Sequence, residues 1–339
     1  MEHPRRRREG ALTLAIALLA LLGVIVVVSS WGEIYKVLAQ ADWRLLPVVL
    51  LLTAVSYACL SISFAISSGV FGVQMSPKDL FYVGFVSYAL DYLMASAGTA
   101  GFSIRMLFFK RRGLPVRDIL AASLFHSALN NLILLVLIPV GFVYLILNHP
   151  LPRSVFVGLG LTTGVLFILV VFAALVIFIG GVRNLTLRLV GRAWRLVARR
   201  DATPQLKDLE SALAYGVTGI RNRPEFLALL LALVAADWAF SVGTLGFCFG
   251  ALGTPVGVGV LLTGFTIGVV AGLLSMVPGG LGVQEGSMAA VFALLGVSFG
   301  HAVLAAILFR IVYYFVPFLF SLGFYRRLLR RRTGDEVIR

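Results

Sequence analysis

The chain alternates between long apolar runs and short polar segments, most of them basic. A membrane span needs about 20 apolar residues coiled into a helix to cross about 30 Å of hydrocarbon. Six runs fit that description: residues 11–28, 45–69, 119–147, 155–180, 226–250 and 302–324. The first follows "MEHPRRRREG" and resembles the charged region and core of a secretory signal. It is too long for such a core, and the small residues at 39–41 lie well beyond it, so a retained span is expected.

Charge gives these spans a direction. Positives concentrate in residues 1–10, 105–117 and 183–223 and in the tail from Arg326, while 33–42, 149–153 and 251–253 carry few. Basic loops stay on the cytoplasmic side, which predicts that both termini are cytoplasmic. Two stretches then refuse to be single spans. Residues 80–104 must begin and end inside, yet 25 residues cannot cross the bilayer twice, so a re-entrant hairpin is expected. Residues 256–300 must begin and end outside and are interrupted by "VPGGLGVQEG", which leaves a second re-entrant pair or two short spans. Irregular backbone at membrane depth is tolerated only where protein buries it or where it lines a wet cavity, so both breaks mark candidate sites.

Composition narrows the class. With 60% apolar and 13% charged residues and a mean hydropathy of +0.98, a soluble globular protein is excluded. The expected fold is all-α and polytopic, with about six to eight transmembrane helices plus re-entrant broken helices. Residues 1–326 form one membrane domain and 327–339 a basic cytoplasmic tail. The formal charge of +14 sits between the spans, so it is read as a topology signal and as contact with anionic lipid head groups, not as nucleic-acid binding. Cys59 and Cys248 lie inside apolar runs and read as packing residues.

The breaks recur. Shifting the chain by about 180 residues lays "GFVSYALDYLMASAGTAG" from Gly84 over "GFTIGVVAGLLSMVPGGLG" from Gly264. "RDILAA" from Arg117 then matches "HAVLAA" from His301, and "RLLPVVLLL" from Arg44 lies near "RPEFLALLL" from Arg223. Loop charges give the halves, about 11–147 and 155–326, opposite orientations. Such inverted repeats are common in transporters, whose broken helices meet near the midplane to form the substrate site.

Charged residues within the apolar segments are few: Asp91, Asp237, Glu285 and Arg310, with Arg105 just past the first break. Each costs from about 2.5 kcal/mol upward at the bilayer centre, so each calls for a partner or water. Arg310 stands too deep to snorkel to the end of its span; its partner is a phosphate or one of Asp91, Asp237 and Glu285. Pro278 stops a helix, and Gly279, Gly280 and Gly282 permit positive φ where a helix restarts near Gln284. That restart favours an anion. Glu285 either caps it or meets a cationic group or a proton. Asp91 precedes the first break and is expected to face the same cavity. In "FHSALNNL", His126, Ser127 and Asn130 adjoin one helical face, as polar glue or as the lining of a path. Tyr313 and Pro317 follow Arg310 at successive turns and predict a kinked, partly polar face. Asp237, beside Trp238, reads as either a site residue or glue.

Between the halves, Arg188, Arg192, Arg195 and Arg199 share one helical face, with Leu187, Val190, Trp194 and Val197 on the other. This predicts an interfacial amphipathic helix in the linker, 183–223, with "RRDATPQLKDLE" as a solvated connection. No Walker lysine, HExxH or serine elbow with supporting groups occurs, so catalysis is not expected, nor is a cofactor or metal.

"LLSMVPGGLGVQEG" followed by "LFRIVYYFVPFLFSLG" resembles the membrane domain of the lysylphosphatidylglycerol synthase and flippase family, and the resemblance runs from about residue 11 to 326. The specific part is Pro278 to Gly282 with Glu285, joined to the final helix bearing Arg310, Tyr313 and Pro317. The resemblance implies a flippase fold in a bacterial inner membrane that moves a phospholipid or other lipid-linked head group between leaflets. In the synthases, aminoacyl transfer belongs to a soluble domain after the membrane part; none follows residue 326 here, so that activity is not expected. Many relatives carry charges where this chain has "FHSALNN", so its substrate or coupling is expected to differ. In the expected site Arg310 and Arg105 hold a phosphate, the 278–285 break contacts the head group, and Glu285 with Asp91 takes a cation or proton. The rival readings are a secondary transporter of a small soluble anion and a scaffold for a lipid- or glycan-modifying enzyme; homo-oligomerisation is left open.

Overall fold

The computed structural model describes residues 31–94, 99–148, 152–198, 203–222, 224–275, 277 and 280–330. The expected first span, 11–28, lies outside them. The described residues are predominantly helical, with no strand among them. A short helix α1 (Trp31–Ala39) and a 3-10 turn (Trp43–Leu45) lead into the long helix α2 (Leu46–Val70). Asp42 caps that turn by accepting from Arg44 N–H, and Pro47 opens α2 where a missing N–H costs nothing.

α3 (Pro77–Met94) and α4 (Thr99–Arg111) follow, then α5 (Val116–Asn148) and α6 (Arg153–Phe178). The linker is two helices, α7 (Gly180–Ala198) and α8 (Thr203–Arg221). The second half runs through α9 (Pro224–Ala251), α10 (Val258–Leu274), α11 (Val283–Leu294) and α12 (Phe299–Arg310), then a π-turn (Ile311–Phe315) and α13 (Val316–Arg330).

Among the described residues, five helices are long and apolar enough to cross a membrane: those covering Trp43–Val70, Val116–Tyr144, Phe156–Phe178, Pro224–Ala251 and Phe299–Arg330. They coincide with the five expected spans that fall in the described residues. Both awkward stretches are helix pairs. At 1.5 Å per residue, α11 reaches about 18 Å and α4 about 20 Å, short of the 30 Å hydrocarbon layer. The order of long helix, two short helices and long helix occurs twice: Leu46, Pro77, Thr99 and Val116 begin the first set, and Pro224, Val258, Val283 and Phe299 the second.

Small residues close the second pair. Gly264, Gly268 and Gly272 form a stripe on α10 against which Phe292, Met288 and Gln284 of α11 lie, so a Cβ on Gly268 would stand 2.9 Å from the Met288 Cβ. With lipid as apolar as leucine, such close backbone approach is what holds two membrane helices together. α2 and α9, the equivalent long helices, make the most extensive contact among the described helices. Ser56, Ser63 and Ser67 recur at helical spacing along α2 and all are buried; Ser56 bonds Asp237 of α9, while Ser63 bonds His126 of α5.

The kink expected at Pro317 is a π-turn. Proline has no N–H to give the carbonyl four residues back, which is that of Tyr313. Tyr57 of α2 supplies the missing donor: its hydroxyl donates to the Tyr313 carbonyl at 3.0 Å. Tyr57→Phe therefore leaves a buried carbonyl without this donor and is expected to lower stability by about 1–3 kcal/mol, read by thermal unfolding in detergent.

The linker departs from expectation. "TPQLKDLE" is the start of helix α8 and not an irregular connection, with Pro204, Lys207 and Asp208 exposed. Its cause is an apolar stripe at Leu206, Leu209, Leu213 and Ile220, of which Leu213 and Ile220 are buried. On α7, Leu187 shares the arginine side, facing α8, while Val190 and Trp194 are exposed. The side chains of Val197 and Arg199 lie outside the described ones.

Candidate functional site

Both helix pairs reach one cavity, of about 370 Å³, beside their breaks. From α3 come Tyr88, Asp91 and Tyr92, and from α10 and α11 come Val269, Gly272 and Gln284. α5 contributes Ser127, Asn130 and Asn131, and α9 contributes Trp238 and Ser241. Phe309, Tyr313 and Tyr314 close the far wall. Among the described residues that line it, Asp91 carries the one charge.

Asp91 is held from two sides. Its Oδ1 accepts the Gly101 N–H at 2.7 Å, near the start of α4, and its Oδ2 stands 4.0 Å from Arg105 Nη2. Gly101 must lack a side chain for this, since a Cβ there would lie 2.6 Å from the Ser87 carbonyl oxygen. Arg105 is buried behind the wall, its guanidinium 4.5 Å from the Phe64 ring centre and 4.7 Å from that of Tyr88.

The second break repeats this logic. Glu285 Oε2 accepts the Gly282 N–H at 2.8 Å, capping α11, while its Oε1 pairs with Arg310 Nε. Arg310 also donates to Gln284 Oε1 at 3.4 Å and lies 5.2 Å from the Tyr314 ring centre. Gln284 then donates through Nε2 to the Tyr314 hydroxyl at 2.7 Å, which orients the amide at the cavity edge. Each break thus joins an acid, a helix N-terminus and an arginine.

A third group braces the two halves. Asp237 is wholly buried, and its Oδ1 accepts from Ser56 Oγ and, at 3.3 Å, from the Tyr313 hydroxyl. Ser56 and Tyr313 are 2.7 Å apart, and Ser241 Oγ also bonds Tyr313. His126 serves a similar purpose in the first half, bonding Tyr88 through Nδ1 and Ser63, at 2.9 Å, through Nε2.

Of the expected site residues, the cavity gathers Asp91, Asn130, Gln284 and Tyr313. Arg105, His126 and Asp237 stand behind its walls and fix residues that face it. Arg310 and Glu285 engage each other and reach the cavity through Gln284. Thus neither arginine expected to hold a phosphate lines this space; each guanidinium faces an acid. Gly280 and Gly282 have φ of 57° and 79°, the left-handed backbone expected of them. Pro278 and Gly279 lie outside the described residues.

Sequence reasoning missed the aromatic wall. Tyr92 and Tyr314 stack at 5.6 Å with rings 6° apart, and Tyr313 stacks on Phe309 at 4.9 Å. The signal was adjacency: Tyr92 follows Asp91, and Tyr314 follows Tyr313.

Comparison with known proteins gives this architecture its relatives. An inner membrane protein of Escherichia coli, YbhN, is 24% identical over 327 residues, 94% of this chain and 92% of its own length. A UPF0104 membrane protein of Methanothermobacter thermautotrophicus is 22% identical over 315 residues, 90% of this chain and 91% of its own. The family described as lysylphosphatidylglycerol synthase TM region matches residues 11–321, so the chain belongs to that family of integral membrane proteins.

Proposed function

We propose that the protein is a lipid translocase that passes a phospholipid head group, or another lipid-linked head group, between leaflets through the cavity beside the two breaks. The observation that carries this reading is the cavity itself: an aromatic-walled, largely apolar space with a few polar groups, reached by two helix pairs in each of which one member, α4 or α11, is too short to span the bilayer. Its size is informative. At about 370 Å³ it falls at the lower end of the range for small-molecule sites, so it accommodates a head group while the acyl chains stay in the lipid.

Its chemistry favours a cationic amine. One carboxylate, Asp91, lines it together with Tyr88, Tyr92, Trp238 and Tyr314, and an open aromatic face attracts an ammonium group by about 0.5–2 kcal/mol. The amides of Asn130, Asn131 and Gln284 supply donors and acceptors for the polar remainder. In this reading the halves are inverted repeats, the basic segments lie in the cytoplasm together with both termini, and the membrane is the bacterial inner one. Exposure of the site to alternate sides follows from rocking one half against the other about the α2–α9 contact.

Mass spectrometry of co-purifying lipids tests the site without a prior choice of substrate. The wild type is expected to enrich one amine-bearing lipid class over the bulk membrane. Asn130→Leu with Asn131→Leu, which strips two polar side chains while leaving the ion pairs intact, is expected to cut that enrichment about fivefold or more. Bulk composition in both samples would contradict the reading and favour a soluble solute or a scaffold role.

A further inference from the structure

A second feature lies away from the cavity, in the linker. α7 and α8 cross closely at Gly191, where an added Cβ would stand 3.1 Å from Leu206 Cδ1. Beside that crossing opens a cleft of about 510 Å³. Arg188, Arg192 and Arg195 of α7 line one wall, and Lys207 and Glu210 of α8 line the other. Glu210 is engaged elsewhere, its Oε1 lying 3.5 Å from Arg183 Nη2.

Four cations therefore share one cleft with one committed acid. Like charges at i, i+4 spacing destabilise an isolated helix, and an anion among them relieves that repulsion. The three guanidiniums rise about 10 Å along the helix, and each offers the paired donors that match phosphate oxygens. The position fixes the source of that anion. α7 begins at Gly180, directly after the membrane helix α6 ends at Phe178. Leu185, Leu189 and Leu196 on α7 are exposed, Leu196 to 83%, and need an apolar medium.

We infer that the α7–α8 cleft is a binding site for the phosphate head group of an anionic phospholipid, held by Arg188, Arg192, Arg195 and Lys207 while Leu185, Leu189 and Leu196 enter the leaflet. Basic pockets beside membrane helices take such head groups, and a cleft makes the binding saturable, which a flat basic surface does not. The site is separate from the cavity beside the breaks and stands whether or not that cavity passes lipid.

Native mass spectrometry of the detergent-purified full chain tests it, with cardiolipin, phosphatidylglycerol, phosphatidylcholine and inositol hexakisphosphate as probes. Cardiolipin and phosphatidylglycerol are expected to bind saturably, with phosphatidylcholine at least tenfold weaker. The triple variant Arg188→Gln, Arg192→Gln, Arg195→Gln is expected to lose that preference. A control removing equal charge outside the cleft, Arg221→Gln, Arg326→Gln, Arg330→Gln, is expected to keep it. Equal losses in the two triple variants would reduce the effect to general attraction and overturn the site. Tight binding of the hexakisphosphate with no preference among the lipids would assign the cleft to a free polyphosphate instead. Loss of enriched amine lipid in the Asn130 and Asn131 variants, by contrast, bears on the cavity alone.

Discussion

Glu285→Gln is expected to destabilise the protein by about 3–5 kcal/mol, the cost of leaving one member of a buried ion pair without the other. The pair is well shielded, with Arg310 and Glu285 side chains 16% and 14% exposed. Two losses combine in this variant: Arg310 loses its carboxylate, and the Gly282 N–H loses a charged acceptor at the start of α11. Arg310→Met is expected to cost less, because Glu285 keeps both the cap and the favourable end of the helix dipole. The double variant, Arg310→Met with Glu285→Gln, is expected to recover more than half of the loss seen in Glu285→Gln. A double-mutant cycle by thermal or denaturant unfolding in detergent reads this directly, and strictly additive losses would show that the two side chains do not act as a pair.

Gly101→Ala is expected to damage the first helix pair as severely, by about 3 kcal/mol. The new methyl group meets the Ser87 carbonyl oxygen at 2.6 Å, and main chain within a helix cannot move aside as a side-chain end can. α3 and α4 must separate, which breaks the bond from Gly101 N–H to Asp91 and turns that carboxylate from its place in the cavity. Stability and amine-lipid enrichment should therefore fall together. Gly286→Ala on α11 is the control: nothing lies within 4 Å of its new methyl group, and a change within about 0.5 kcal/mol is expected. If Gly101→Ala matched it, the close approach of α3 and α4 would not be what seats Asp91.

These two variants also show what the sequence makes readable. Glu285 and Arg310 stand out because charge is rare in apolar runs, and the proline-glycine break beside Glu285 announces a helix restart. Five spans and both broken pairs follow from run length, loop charge and the reach of a helix. The pairing of Arg310 with Glu285 was one of several options, since charge alone does not choose among three acids. Other contacts leave no local trace. Ser56 meets Asp237 across 181 positions and Tyr313 across 257, and the packing of α2 on α9 and on the π-turn brings them together. The place of Arg105 behind the cavity wall was not legible for a similar reason: Phe64 and Tyr88, distant in sequence, enclose its guanidinium. The helical form of α8 was not legible because charged residues at 207, 208 and 210 masked a leucine stripe whose partner helices lie elsewhere in the chain.

The cavity beside the breaks is the centre of the functional reading, and leaflet exchange is its most direct test. Purified protein is reconstituted into vesicles holding a fluorescent amine-bearing phospholipid, and a membrane-impermeant quencher reports how fast inner-leaflet label becomes accessible. Wild type is expected to speed exchange at least about tenfold over protein-free vesicles, and Asp91→Asn, folded to the same extent, to return it to the protein-free rate. Exchange no faster than in protein-free vesicles, or Asp91→Asn as fast as wild type, would contradict head-group passage through this site.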